Sequence, residues 1–171
     1  MSMRADAIYS TTIVGTPPME DFYLGKATER IFLPLIRTSL PDIVDMNMPV
    51  EGVFHNCVIV SIRKRYPGHA KKVMNAIWGL GLLSLSRCVI VVDDDVDVQN
   101  LSSVAFYAFS NVDAGRDMLV TEGPVDALDH AAPYFAYGSK VGFDATRKWP
   151  GEGLVREWPS EAVMSDEVRT L

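Results

Sequence analysis

Four acidic residues crowd one short segment of the chain and are the best candidates for chemistry. They directly follow the apolar residues 89–92 and are Asp93, Asp94, Asp95 and Asp97. A β-branched run bounded by charge predicts a strand buried on both faces, so these acids lie at its carboxyl end. Open α/β sheets bind ligands at that edge, and clustered carboxylates suit Mg²⁺. The structural alternative is a loop whose acids approach the N-terminus of the next helix, near Asn100.

The spacing of two of these acids also resembles the Asp-x-Asp motif that opens haloacid-dehalogenase-type phosphatases. In that resemblance Asp93 would be the nucleophile and Asp95 the general acid of a Mg²⁺-dependent reaction. The family also needs a downstream lysine and a second acidic pair, and the sequence offers no convincing candidates for them. A phosphatase therefore stands as an alternative function.

Among the three histidines, His130 has the neighbours that favour a role in a pocket. It lies in a predicted loop beside Asp129, and a nearby carboxylate raises the pKa of an imidazole and fixes its tautomer. His55, expected within a strand, and His69, expected at a helix start, are predicted to be structural.

A basic segment near the C-terminus contains Lys140, Arg147 and Lys148, next to Trp149. These side chains could bind a phosphate or a carboxylate, or could hold an acidic surface at a subunit contact. The two cysteines, Cys57 and Cys88, lie at the edges of apolar runs. Free buried thiols are the expectation for them, and a disulfide or metal pair is the alternative.

The bulk composition limits the partners and the location. A formal net charge of −6 argues against a nucleic-acid partner, which needs a concentrated basic surface. No apolar run is long enough to span a membrane, so membrane association is expected to be peripheral at most. The first residues lack the apolar core of a secretion signal, and the cytoplasm is the expected location.

The elements that would position these residues alternate along the chain. Two apolar runs predict strands at residues 50–62 and 89–92, and helical spacing predicts a helix at 69–83 that includes Gly79–Gly81. A helix at residues 100–109 and a strand at 117–121 follow, and the remainder, including 138–150, is expected to be loops. Such alternation predicts an α/β fold: a layered, mostly parallel sheet with flanking helices.

The N-terminal region does not fit this pattern. Residues 5–14 predict a strand with no partner before it. Residues 16–41 predict a long amphipathic helix that is kinked at Pro34 and ended by Pro41. An orphan strand followed by a long helix is typical of a connector between two bodies.

Several segments, taken together and in order, resemble the UbiD-type decarboxylases, which use prenylated FMN. The matching segments are residues 6–9, 14–21, 66–73, 89–97, 138–140 and 144–152. The resemblance covers almost the whole chain but only the C-terminal portion of the family. It implies that residues 1–15 are the last strand of a missing split-barrel flavin domain, 16–41 the connector helix and 42–171 a C-terminal α/β oligomerisation domain.

The activity implied by this resemblance is reversible, non-oxidative decarboxylation of aromatic or α,β-unsaturated acids. A quinone precursor such as a polyprenyl hydroxybenzoate is one candidate substrate. The full-length family holds prenylated FMN with a divalent metal (Mn²⁺ or Mg²⁺) and K⁺, and its catalytic arginine and glutamates lie upstream of the matched region. This chain alone is therefore predicted to be inactive, with no catalytic residue and no bound cofactor or metal.

The resemblance carries over few residues. Leu24, Leu128 and His130 match positions where family members line the substrate pocket. The expected partners are further copies of the chain, through the C-terminal domain, and the missing barrel, in the same chain or as a separate subunit that completes the enzyme in trans. The exposed side of the connector helix should then be apolar and invite self-association.

Overall fold

The computed structural model describes residues 16, 21–53 and 56–160, together with residues 162, 164, 165 and 168. The strand expected at residues 5–14 and His55 lie outside these described residues. No helix in the described part of the chain is both long and apolar enough to cross a membrane.

Helices and strands alternate through the described chain. The helices are α1 (Asp21–Ser39), α2 (His69–Trp78), α3 (Leu101–Asn111) and the short α4 (Ala114–Asp117). The strands are β1 (Ile43–Asn47), β2 (Cys57–Ile62), β3 (Cys88–Asp93), β4 (Met118–Pro124) and β5 (Tyr137–Asp144). Two 3₁₀ turns, Val50–Gly52 and Gly81–Leu85, complete the list.

All five described strands form one sheet in the order β1-β2-β3-β5-β4. The three central strands β2, β3 and β5 are parallel, and the two edge strands β1 and β4 pair antiparallel to their neighbours. Helices α1 and α2 pack on the sheet, α3 packs on β3 and β5, and the apolar side chains separate into two clusters. The predicted α/β fold with a mostly parallel sheet is therefore confirmed.

The central strands are buried on both faces, as their β-branched runs predict. Val58 and Val60 of β2 belong to the larger apolar cluster, with residues of α1 and α2. Ile59, between them on the opposite face, belongs to the smaller cluster with Val104 of α3. The alternation of side chains along a strand thus divides one apolar run between two cores.

Two predicted boundaries are wrong, and the backbone explains both. The first core strand begins at Cys57, because Val50–Gly52 form a 3₁₀ turn and Val53 adopts a left-handed conformation with φ 47°. Helix α2 ends at Trp78, and Gly81 also has a positive φ, 46°. Gly79–Gly81 therefore lie outside the helix, in keeping with the preference of glycine for helix ends.

The largest correction concerns residues 138–150, which were expected to be loops. Tyr137–Asp144 form β5, which lies between β3 and β4 inside the sheet. Close packing explains the glycine at its centre: a Cβ atom at Gly142 would lie 2.5 Å from Met74 Sδ and 3.3 Å from Trp78 Cη2. Gly142, one of the glycines that made this segment resemble a loop, is the residue that lets α2 approach the strand.

Helix α1 is held to the sheet by one buried acid as well as by apolar contacts. The fully buried Glu29 accepts the Met48 N–H at 2.6 Å and binds Lys26 at 3.2 Å. Lys26 also donates to Asn47 at 2.5 Å, and Asn47 donates to the Val98 carbonyl at 2.6 Å. This network fixes the helix against the end of β1.

Candidate functional site

The carboxyl edge of the parallel sheet contains the acids that the sequence placed there. Asp93 ends β3, and its Oδ2 accepts the Arg147 N–H at 2.8 Å. The Arg147 guanidinium donates to both carboxylate oxygens of Asp95, at 3.0 and 2.7 Å. These two acids therefore hold the loop after β5, and Asn100 caps α3 by accepting the Ser103 N–H at 3.2 Å.

Burial and Arg147 move the two carboxyl groups in opposite directions. Burial raises the pKa of Asp93, although hydrogen bonding and the charge of Arg147 oppose it. Hydrogen bonds from Arg147 lower the pKa of Asp95. Two acids with separated pKa values can serve acid–base chemistry. Here both carboxylates are already bound by Arg147.

This geometry argues against a phosphatase that uses Asp93 and Asp95. Arg147 engages both carboxylates through charged hydrogen bonds. Within the described residues, no group of three His, Cys, Asp or Glu side chains is arranged to hold a metal ion. The structural interpretation of the acids is therefore favoured, with Arg147 as their partner.

Lys148 is a fully buried cation in the same region. Its Nζ donates to the carbonyls of Asp144 at 2.7 Å and Thr146 at 2.6 Å, and to Asp144 Oδ1 at 3.1 Å. The carboxylate of Asp117 lies 3.5 Å away. A lysine enclosed in this way cannot bind a phosphate or a neighbouring subunit, so it has a structural role.

Lys140 is also buried, in β5, where its Nζ donates to the Ser84 carbonyl. Burial lowers the pKa of Lys140. The three cations predicted to form one basic surface are thus used inside the chain, and the structure does not bring them together as a site.

A second buried ion pair, between Lys64 and Glu152, was not predicted from the sequence. Lys64 Nζ lies 2.5 Å from Glu152 Oε2, and both side chains are buried. Glu152 also accepts the N–H groups of Gly68 at 2.8 Å and Trp149 at 2.7 Å. The loop after β5 is therefore attached to the start of α2. The only advance signal was the position of Glu152 inside a segment that carried the family resemblance.

His69 has the structural role predicted for it. It is buried, its Nδ1 accepts the Arg65 N–H at 3.3 Å, and its ring stacks on Tyr66 at 4.4 Å between centroids. Burial lowers the pKa of His69, against the charge of Asp42.

An apolar groove of about 270 Å³ lies between α1 and the 3₁₀ turn Gly81–Leu85. We call it the α1 groove. Its lining includes Thr28, Phe32, Leu35, Leu82, Leu85 and Asp126. Leu35 is 59% exposed, and Ile31 beside the groove is also exposed. The expected apolar outer face of the connector helix is therefore present.

The three predicted pocket residues lie around this groove and not in it. Leu24 precedes Thr28 by one helical turn and is 55% exposed. Leu128 and His130 are exposed in the loop that follows Asp126. The acid beside the histidine has other partners, because Asp129 binds Arg87 at 3.1 Å and the Ala131 N–H at 3.0 Å.

Comparison with known proteins shows which family this chain resembles. A family model described as the 3-octaprenyl-4-hydroxybenzoate carboxy-lyase C-terminal domain matches residues 22–145. An uncharacterized protein of Aquifex aeolicus is 55% identical over 167 residues, which are 98% of this chain and 34% of that protein. The chain spans about a third of the length of the curated relatives it matches.

Solved structures share the fold. The open form of the vanillic acid decarboxylase of Sedimentibacter hydroxybenzoicus matches 91% of this chain and 33% of that chain, with a TM-score of 0.79 and 28% identity. The UbiD-class enzyme HmfF of Pelotomaculum thermopropionicum, in complex with FMN, matches 86% of this chain and 32% of that chain. Its TM-score is 0.69 at 23% identity, which supports the fold alone.

Proposed function

Because this chain belongs to the family of the 3-octaprenyl-4-hydroxybenzoate carboxy-lyase C-terminal domain, we propose that it is the C-terminal α/β domain of a UbiD-like decarboxylase. Its role is to supply an assembly surface and one wall of the active-site cleft. The arginine and glutamates that carry out the chemistry belong to the remainder of the longer protein, so the chain alone is inactive.

The observation that carries this proposal is the α1 groove. Phe32, Leu35 and Leu82 expose apolar surface to water on the connector helix and the turn beside it. Contiguous exposed apolar surface marks an interaction site more often than a free surface. A barrel that precedes α1 in the longer protein would cover this groove and bring Leu24, Leu128 and His130 to the edge of the cleft between the two domains.

The division of the chain follows from this arrangement. Residues 1–15 are the last strand of the barrel, 16–41 connect the domains, and 42–171 form the domain through which copies assemble. The relatives support a longer protein, since they are about three times as long as the matched region.

Substrate and cofactors belong to the longer protein. The substrate is an aromatic or α,β-unsaturated acid, with a polyprenyl hydroxybenzoate as one candidate. Prenylated FMN, a divalent Mn²⁺ or Mg²⁺ ion and K⁺ bind to the barrel and supply the decarboxylation chemistry. The FMN named with the HmfF structure is consistent with a flavin in such enzymes.

Complementation tests this proposal. The 171-residue chain is mixed with the unmatched N-terminal portion of the Aquifex aeolicus relative, and binding is measured by calorimetry. Release of CO₂ is then measured with prenylated FMN and a panel of aromatic and α,β-unsaturated acids. We expect binding and CO₂ release from the mixture and neither from this chain alone.

Two matched variants locate the contact. Leu35→Asp should weaken binding by about tenfold or more, because it places a charge in the α1 groove. Phe109→Asp places the same charge at an 88% exposed aromatic residue on α3 and should leave binding unchanged. Decarboxylation by this chain alone, or binding that is insensitive to Leu35→Asp, would contradict the proposal.

The alternative is a natural separate subunit that completes the enzyme in trans. Genomic sequence upstream of the coding region distinguishes the two arrangements. If the upstream sequence continues in frame and encodes the barrel, this chain is a domain of a longer protein. If a stop codon precedes a true start codon, the chain is a separate subunit.

A further inference from the structure

The two cysteines lie side by side on neighbouring parallel strands. Cys57 of β2 and Cys88 of β3 are direct partners in the strand register. In-register residues of adjacent strands point to the same face, and the strands are about 4.8 Å apart. That spacing falls within the range of Cα separations that a disulfide can bridge. Both cysteines are free in this structure.

The two thiols hydrogen-bond to each other and differ in acidity. The hydrogen bond to Cys88, together with burial, raises the pKa of Cys57. The same hydrogen bond, donated by Cys57, lowers the pKa of Cys88 against the effect of burial. These directions favour ionisation of Cys88 over Cys57. A thiolate is the nucleophilic form of cysteine.

The pair is accessible from one side. Both residues are half-buried and line a surface depression of about 440 Å³, together with the charged residues Glu51, Arg87 and Lys140. The backbone of Gly52 forms a close wall, since a Cβ atom there would lie 2.5 Å from Cys57 Cβ. This depression is the side from which a small molecule can approach the pair.

We propose that Cys57 and Cys88 form a vicinal dithiol site that reacts with low-molecular-weight disulfides and closes to a cross-strand disulfide. The proposal goes beyond the decarboxylase role and does not depend on it. It assigns a role to two thiols that stand in register on neighbouring strands.

The reaction proceeds in two balanced steps. The Cys88 thiolate attacks one sulfur of the small disulfide, forms a mixed disulfide and releases one small thiolate. Cys57 then loses its proton to solvent and attacks Cys88 Sγ, which forms the Cys57–Cys88 bond and releases the second small thiolate. The two protein thiols lose two electrons, and the small disulfide gains them.

Oxidised glutathione is the probe for this site. The reduced, folded 171-residue chain is treated with it, the remaining thiols are alkylated, and the products are identified by intact mass and peptide mapping. We expect a chain that has lost two hydrogen atoms and carries a Cys57–Cys88 link, with dithiothreitol restoring both thiols. A wild-type chain that accumulates a stable glutathione adduct, or that reacts only after unfolding, would overturn the proposal.

Single variants trap the mixed disulfide. Cys57→Ser should accumulate the adduct on Cys88, because the thiol that would resolve it is gone. Cys88→Ser should accumulate the adduct on Cys57 for the same reason. The nucleophile is identified in the wild-type chain instead, where rapid acid quenching should find the transient mixed disulfide on Cys88. A transient adduct on Cys57 would refute the assignment of Cys88 as nucleophile. Formation of the Cys57–Cys88 link in the wild-type chain is tested without any variant, so the proposal can be decided even if a substitution prevents folding.

A matched control keeps two cysteines but moves one to the other face. In the double variant Cys57→Ser, Val58→Cys, the new thiol lies on the opposite side of β2 from Cys88. This variant should form no internal link while folded, as monitored by circular dichroism. A link formed as fast as in the wild type would show that the disulfide arises by unfolding and not at the proposed site.

Discussion

Buried cations determine how the loop after β5 is held. Lys64 and Lys148 have almost no exposed side-chain surface, and each is surrounded by carbonyl and carboxylate oxygens. A buried ion pair contributes little compared with apolar packing, but removal of one partner leaves an unpaired buried charge. These residues therefore matter for stability, although they offer nothing to a substrate.

Substitution of Lys148 tests this role. Lys148→Met should lower the free energy of unfolding by about 3–5 kcal/mol, because the buried carboxylates of Asp117 and Asp144 lose their shared cation. Urea denaturation measures the change. Lys71→Met, at an exposed position on α2, is the control and should change stability by about 0.5 kcal/mol or less. Similar losses in both variants would contradict a special role for Lys148.

At the scale of elements, β5 decides the shape of the domain. It pairs with β3 on one side and with β4 on the other, so it joins the β2-α2-β3 unit and the edge strand β4 into one sheet. Its side chains alternate between exposed and buried along most of its length. Gly138 and Gly142 lie on the buried side, and α2 lies against Gly142 through Met74 and Trp78.

An added methyl group on β5 should reveal this close approach. Gly142→Ala should lower the free energy of unfolding by about 1–3 kcal/mol, because its Cβ would overlap Met74 Sδ in a packed core. Gly138→Ala is the matched control in the same strand, since its nearest neighbour would be 3.4 Å away. Thermal unfolding of both variants measures the difference. A Gly142→Ala protein as stable as the Gly138→Ala protein would refute the packing argument.

At the scale of the whole molecule, internal ion pairs hold the loop after β5 to distant segments, and one face of α1 is exposed and apolar. The ion pairs join segments more than 50 residues apart, such as Arg147 with Asp93. The open face belongs to α1, whose other side is fixed to the sheet through Glu29 and Leu33. Within the described residues, α1 therefore presents an exposed apolar face to a neighbour while its other side is held to the sheet.

The paired carboxylates should make the whole molecule sensitive to acid. Burial raises the pKa of Asp117 and Glu152, but hydrogen bonds, from Arg116 and Lys64 respectively, outweigh it and leave both values lowered. A lowered pKa adds stability that is complete above the unfolded-state value and is lost as pH falls through the folded-state value. We therefore expect the free energy of unfolding to decline below about pH 4.

Urea denaturation across this acid range measures the decline. Asp117→Asn should make it shallower, because the substituted side chain no longer takes up a proton on unfolding. Asp93 acts in the opposite direction, since burial raises its pKa, and Asp93→Asn should make the decline steeper. Identical slopes in the wild type and the Asp117→Asn protein would contradict the linkage.

The sequence by itself determined the features that depend on short-range pattern. The β-branched run before Asp93, the helical spacing after His69 and the amphipathic connector helix each show a period within one element, and the order of motifs indicated the family. Only the tertiary structure decided which residues meet. β5 lies inside the sheet because β3 and β4 pair with its two edges, and Gly142 allows the approach of α2. Likewise Arg147 reaches Asp93, Lys64 reaches Glu152, and Cys57 reaches Cys88 across the register. These contacts arise from pairing between remote segments, and no local period encodes such pairing.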